Sequence, residues 1–259
     1  MPHFYGALPD VHDHRDLCLS DLCLHVPVLP AFLDHRPYAP AIKDQGAEGA
    51  CVSFGATRAN RTAHALAGRP IADLSEQWLY WQVRWLEHTV HEDAGAMPRD
   101  ALRVLRKVGC DTEANYPYVA GQYDMHPPED LVAAAPNKIR SFYRCYSVLE
   151  AKSALVAKCG VIIAVQIPES FESAEVARTG IVPMPAMSKS GRITEAFLGG
   201  HCMTIDGWND TGLHGVPEHS MIIGNSWSGS WADHGACYLP YGWFDRMLPL
   251  VLGVWALVV

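Results

Sequence analysis

Residues 43–54 read KDQGAEGACVSF, and the organisation of the chain follows from them. Gly46 and Gly49 mark a tight loop. From Cys51 onward, small or apolar residues recur every four positions, at Cys51, Gly55, Ala59 and Ala63, until Gly68-Arg69-Pro70 stops the run. That spacing predicts a helix whose first residue is Cys51. A cysteine there is in a reactive position. Unpaired backbone N–H groups and the positive end of the helix dipole both favour thiolate over thiol, and at such sites cysteine pKa values fall to roughly 3.5–7.5. Gln45 lies six residues earlier. Its side-chain NH2 could turn toward a developing oxyanion, with the Cys51 backbone N–H as a second donor. Taken alone, a helix-initial cysteine is more often a buried small hydrophobe than a nucleophile, so the assignment needs support from elsewhere in the chain.

Working outward, the first half is dominated by helical signals. A second helix is expected to open at Asp73, with Glu76 three residues on. It would place Trp78, Trp81 and Trp85 on one stripe, most simply a core stripe. A third starts at Pro98, turns Ala101, Leu102, Leu105 and Val108 inward, and stops at Gly109. The second half changes character. Ser147 and Glu150 form a capping-box pattern before one more helix, which Gly160 closes ahead of the β-branched run Val161 to Ile167. Short apolar runs bounded by Gly, Asn or Asp follow at 201–206, 221–223, 236–239 and 255–259, as strands of a compact sheet or barrel. A helical half, a β half and a cleft between them make an α+β fold.

Two segments of the second half support Cys51. In LGGHCMTIDGW, residues 198–208, His201 sits where a glycine turn enters a strand, with its ring free to face a cleft. In MIIGNSWSGSW, residues 221–231, Asn225 follows another strand and is trailed by Trp227 and Trp231. The expectation is that the Asn225 carbonyl accepts the Nδ1–H of His201, leaving Nε2 to face the sulfur.

Gln45, Cys51, His201 and Asn225, in that order and in those contexts, resemble the active site of the papain family of cysteine proteases. That family carries QG-x-C-G-S-C-W at the nucleophile, G-H-A at the histidine and N-S-W-G-x-x-W at the asparagine. QGAEGACV, GHC and NSWSGSW occupy those places here, with supporting matches at LSEQ (74–77) and EANYPY (113–118). The similarity runs from about Arg36 to the C-terminus and is nearest in style to bacterial members. It implies a papain-like fold, with a helical half at 36–140 packed against a β-barrel-like half at 141–259. It also implies peptide-bond hydrolysis through a thioester on Cys51, with His201 as base and acid, Asn225 as its orienting partner and Gln45 as an oxyanion donor. No cofactor is required. The AGAMPRDAL stretch (94–102) matches the segment whose glycine backbone pairs with a peptide substrate. Gly95 is then the pairing residue, Ala96 and Met97 form an apolar wall for the side chain two residues before the scissile bond, and Val165 and Gly200 line the same groove. Trp227 would cover the contact between His201 and Asn225. A related enzyme on the same machinery, a deamidase, a ligase or a protease dedicated to a single target, is the alternative, and a catalytically inactive peptide binder the weaker one.

The departures from the family pattern carry expectations too. Counted from the matched residues, the family's disulfide partners near the nucleophile fall on Glu48 and Glu92, so that bridge is missing, and Val52 replaces the usual tryptophan after the nucleophile. All eight cysteines are expected to be free thiols. Residues 1–35 hold no long amphipathic helix and alternate around Pro27 and Pro30. They are expected to be an extended strap lying on the body, not an inhibitory segment in the cleft.

Charge and composition narrow the partners. A formal net charge of -8, with no cluster of Lys and Arg, argues against nucleic acid. The N-terminus lacks the basic start and apolar core of a secretory signal, which points to the cytoplasm or to export without such a signal. The apolar stretch from Met247 to Val259 is broken by Pro249 and Gly253 and is too short for a membrane helix, so it is expected to be a buried terminal strand. His12, His14, Cys18, Cys23 and His25 fit no common zinc spacing, and no metal is expected. Cys202 should point into the core by strand alternation.

Overall fold

The computed structural model describes residues 3–22, 28–245 and 250–259. Helix α1 spans Cys51–Leu66 and begins, as expected, on the cysteine. Its N-cap residue, Ala50, offers no side-chain acceptor, so the first-turn N–H groups have no side-chain cap and face the cleft. Helix α2 spans Glu76–Leu86, and its cap is Ser75, whose Oγ accepts from Trp78 N at 2.9 Å, rather than the expected Asp73. Asp73 is instead tied up by Arg61 at 2.7 Å and Lys43 at 3.0 Å. Helix α3, Pro98–Lys107, packs on both. Of the tryptophan stripe, Trp78 and Trp81 are buried, whereas Trp85 stacks on Trp81 and stays exposed. Two smaller helices follow, α4 at Glu129–Ala134 and α5 at Val148–Val156. In α5, Ser147 Oγ accepts from Glu150 N as its pattern predicts.

The strands are β1 Phe32–Asp34, β2 Ser141–Arg144, β3 Gly160–Pro168, β4 Phe197–Asn209, β5 Ser220–Gly224, β6 Ala236–Pro240 and β7 Val251–Val258. They form one antiparallel sheet in the order β2-β7-β3-β4-β5-β6, with β1 added on β4. The sheet does not close, which corrects the barrel-like expectation. Irregular chain occupies both outer edges. Gly180 O and Val182 N bond to Tyr238 of β6, and Leu17 O accepts from Arg144 N of β2. Pairing those edges in this way removes the need for strand-to-strand closure.

Strand alternation divides the core in two. Ile162 and Ala164 of β3 and Trp255 and Leu257 of β7 face α1–α3. Val161, Ile163, Val165, Val254 and Ala256 face a second cluster with Trp208, Trp243 and Phe171. The helical core therefore draws residues from the end of the chain. Each large apolar side chain fully buried in this way contributes about 1.5–3 kcal/mol. This two-sided burial fixes β4 and α1 side by side, and Cys51 and His201 stand on those two elements.

The N-terminal segment departs from expectation. Its later part does lie on the body, with β1 paired to β4 and Leu17 against β2. Residues 3–8, however, run into the cleft between α1 and β4. No helix is needed for that, because an extended strand can fill a groove through its own backbone hydrogen bonds. Cys23, His25 and Met247 lie outside the described residues.

Candidate active site

Cys51 lies at the start of α1, fully buried, with Cys202, the neighbour of His201 on β4, in the same core cluster. The elements that carry the thiol and the imidazole, α1 and β4, thus pack side by side. His201 Nε2 and Asn225 Oδ1 are 2.7 Å apart. A carboxamide oxygen only accepts, so Nε2 carries the hydrogen, and the buried Nδ1, with no other partner, is the nitrogen left to take a thiol proton. This reverses the expected use of the two ring nitrogens. The order of the groups along the sheet decides it: Asn225 follows β5, the strand beside β4, and the ring reaches it with its far nitrogen. Asn225 Oδ1 also accepts from Ser226 N at 2.8 Å, and Trp227 stacks on the His201 ring at 4.8 Å and 24°. The expected cover over the contact is therefore in place.

Gln45 is fully buried and oriented at both ends. Its Oε1 accepts from Ser226 Oγ at 2.6 Å, which leaves Nε2 as the pure donor. One Nε2 contact goes to Glu48 O at 2.8 Å and the other to Phe4 O at 3.1 Å. A peptide carbonyl of the N-terminal segment thus already sits on the side-chain amide. Around it, Ala7 N donates to Gly200 O at 2.8 Å, Ala96 N donates to Gly6 O at 2.7 Å, and Leu8 N donates to Ala96 O at 2.9 Å. His3 stacks on Trp227 at 3.8 Å, and Tyr5 meets the His201 ring edge-on and donates its hydroxyl to Glu172. The approach is close enough that a Cβ on Gly6 would overlap Gly49 O, and one on Gly95, at φ +78°, would overlap Gly6 O.

Compared with known proteins, the chain matches the model of the papain family of cysteine proteases over residues 29–243. It belongs to that family. An uncharacterised peptidase C1-like protein of Acanthamoeba polyphaga mimivirus is 28% identical over 222 residues, covering 79% of this chain and 66% of the other. Cysteine proteinase 2 of Leishmania pifanoi is 31% identical over 203 residues, covering 75% and 40%. The chain thus spans from two fifths to just under two thirds of the length of these relatives. Among solved structures, xylellain, a cysteine protease from Xylella fastidiosa, superposes with a TM-score of 0.82 at 23% identity, covering 98% of this chain and 96% of that one, which shows the shared fold.

Against the papain-family pattern, the structure gathers Gln45, Cys51, His201, Asn225 and Trp227 at one end of the cleft. The pairing residue on its wall is Ala96, not the expected Gly95, because Ala96 supplies both the N–H and the C=O that a strand uses. Gly95 instead makes room in the left-handed turn before it. Met97, half-buried, is the N-cap of α3 and donates its N–H to Glu87. Val165 is opposite His201 in register but is packed into the second core, beneath the groove rather than lining it. Gly200 bonds the segment directly. Ser226 and Asp93 were not found by sequence reasoning. Ser226 stood inside the NSW motif, where its hydroxyl had no assigned partner.

Electrostatics in this closed form run opposite to the sequence expectation. Burial under the segment pushes the Cys51 thiol up to about 11, overcoming the four backbone N–H groups that pull it down. Burial likewise holds His201 down to about 4, against the raising effect of Asn225 and with a further push from His3. Both groups are neutral at pH 7. Water is excluded from the pair, and a charge on either would be costly. The seven cysteines among the described residues are free, and Cys202 is buried beside α1.

Proposed function

We propose that this chain is a cysteine peptidase, held latent by its own residues 3–8. The observation that carries the reading is the Phe4 carbonyl on Gln45 Nε2, beside Cys51 and the coupled His201 and Asn225. A peptide already fits the groove. In turnover, the Cys51 proton passes to His201 Nδ1 and the thiolate adds to a substrate carbonyl carbon. The oxyanion then sits between Gln45 Nε2–H and the Cys51 N–H. The imidazolium, held by Asn225, gives its proton to the leaving amine. Water, deprotonated by the same nitrogen, hydrolyses the thioester.

The segment escapes this fate by its direction. A productive substrate lays the residues before its scissile carbonyl on the Ala96 wall. Here the residues after the Phe4 carbonyl, Gly6 to Leu8, lie there. An epoxysuccinyl peptide probe tests the function: mass spectrometry should place the label on Cys51 and on no other cysteine. Label elsewhere, or none after the segment is displaced, would overturn it. Product analysis separates hydrolysis from the alternatives, since hydrolysis leaves a free carboxylate, ligation a new amide, and deamidation an uncut chain.

A further inference from the structure

One peptide group in the nucleophile loop is gripped at both ends. The Glu48 carbonyl accepts from Gln45 Nε2 at 2.8 Å, and the N–H of the same peptide unit, on Gly49, donates to Asp93 at 3.0 Å from each carboxylate oxygen. Asp93 is itself aimed by Tyr80, whose hydroxyl donates to Oδ1 and accepts from Gly95 N at 3.0 Å, while the Arg84 guanidinium lies 4.1 Å over the Tyr80 ring. The side chain sits at the exposed rim of the cleft, so hydrogen bonds rather than burial hold it.

We propose that Asp93 is a positioning residue for the oxyanion site, acting through the Glu48–Gly49 peptide to hold the Gln45 amide. The physical chain is short. A carboxylate accepting a peptide N–H makes a charge-assisted bond and polarises that peptide's C=O, which becomes the better acceptor. The Gln45 N–H that it fixes leaves the second N–H of the same NH2 group aimed into the cleft, at the place where Phe4 O now sits. Rotation of the Glu48–Gly49 peptide would release Gln45 Nε2 from that direction. The carboxylate ties the nucleophile loop to the substrate wall through Tyr80 and Gly95. The Glu48 side chain plays no part in this tie, since its carboxylate turns inward to Gln77 and Gly121.

The inference rests on the reading of Gln45 as an oxyanion donor, and one experiment separates the two. kcat and KM for a fluorogenic peptide, and melting temperature, are measured on the full-length chain as wild type, Gln45→Ala, Asp93→Ala, Asp93→Asn and the two Gln45→Ala double variants. An intramolecular competitor raises apparent KM and leaves kcat readable. Asp93→Ala should lower kcat about tenfold in the wild-type background and less than about twofold once Gln45 is gone, as expected of coupled neighbours. Asp93→Asn keeps an acceptor for Gly49 N and should cost about threefold, again only when Gln45 is present. If Asp93→Ala does not fold, Asp93→Asn carries the test. Equal losses in both backgrounds, or a change confined to KM or to melting temperature, would overturn the positioning role. An unchanged kcat in Gln45→Ala would overturn the oxyanion reading itself, and the inference with it.

Discussion

Gly6→Val in the full-length chain should convert a latent enzyme into an open one. Any Cβ at position 6 overlaps Gly49 O, so the segment cannot keep its present seat. Gly49 cannot yield easily, because Asp93 holds its N–H. The two bonds nearest the substitution, Ala96 N to Gly6 O at 2.7 Å and Ala7 N to Gly200 O at 2.8 Å, are the first to be lost. At about 0.5–1.5 kcal/mol net for each, closure weakens by about 1–3 kcal/mol, which is a factor of about 5–150 in the closed population. An intramolecular competitor raises apparent KM without touching the chemistry of the open form. Turnover of a fluorogenic peptide well below KM should therefore rise by that factor, while kcat stays the same. The assay is a progress curve at two substrate concentrations, with melting temperature measured in parallel. Unchanged or lower turnover, in a variant that melts like the wild type, would show that residues 3–8 do not restrain the enzyme.

The remaining expectations follow from the same contacts. Cys51→Ala should abolish turnover and probe labelling, whereas Cys202→Ala, removing a buried thiol that faces α1, should leave most of both; persistent labelling of Cys51→Ala would refute the assignment. Latency should depend on pH. His201 is held down to about 4 when closed, against about 6.5 when free, so the closed form binds fewer protons and weakens as the pH falls from about 6.5 toward 4. The ratio of Gly6→Val to wild-type turnover should then fall as the pH drops from about 6.5 toward 4.5, and a ratio flat over that range would contradict this. Ser226→Ala removes the donor to Gln45 Oε1 and frees the amide to rotate, so kcat should fall by about threefold to tenfold with little change in KM. A purely KM effect would mean that Ser226 contacts the substrate.

Much of this protein was legible in local spacing. The four-residue recurrence from Cys51 to Ala63, the Ser147 and Glu150 cap and the short β-branched runs each describe neighbours in the chain, and the backbone periods of 3.6 and 2 turn such neighbours into faces. The identity of the four polar residues was legible for the same reason, because each sits inside a short motif at an element's end. Three things were decided only by the tertiary structure. Which His201 nitrogen meets Asn225 depends on where β5 lies beside β4. What orients Gln45 depends on Ser226 and on the Glu48–Gly49 peptide, held in turn by Asp93 from another loop. Where residues 3–8 lie depends on a groove whose walls, Gly49, Ala96 and Gly200, come from three distant stretches of chain. A segment in which two small residues, Gly6 and Ala7, follow the aromatic Phe4 and Tyr5 has no period of its own to reveal this. Its conformation is set by the backbone donors and acceptors of the groove, and those exist only once the helices and the sheet have packed.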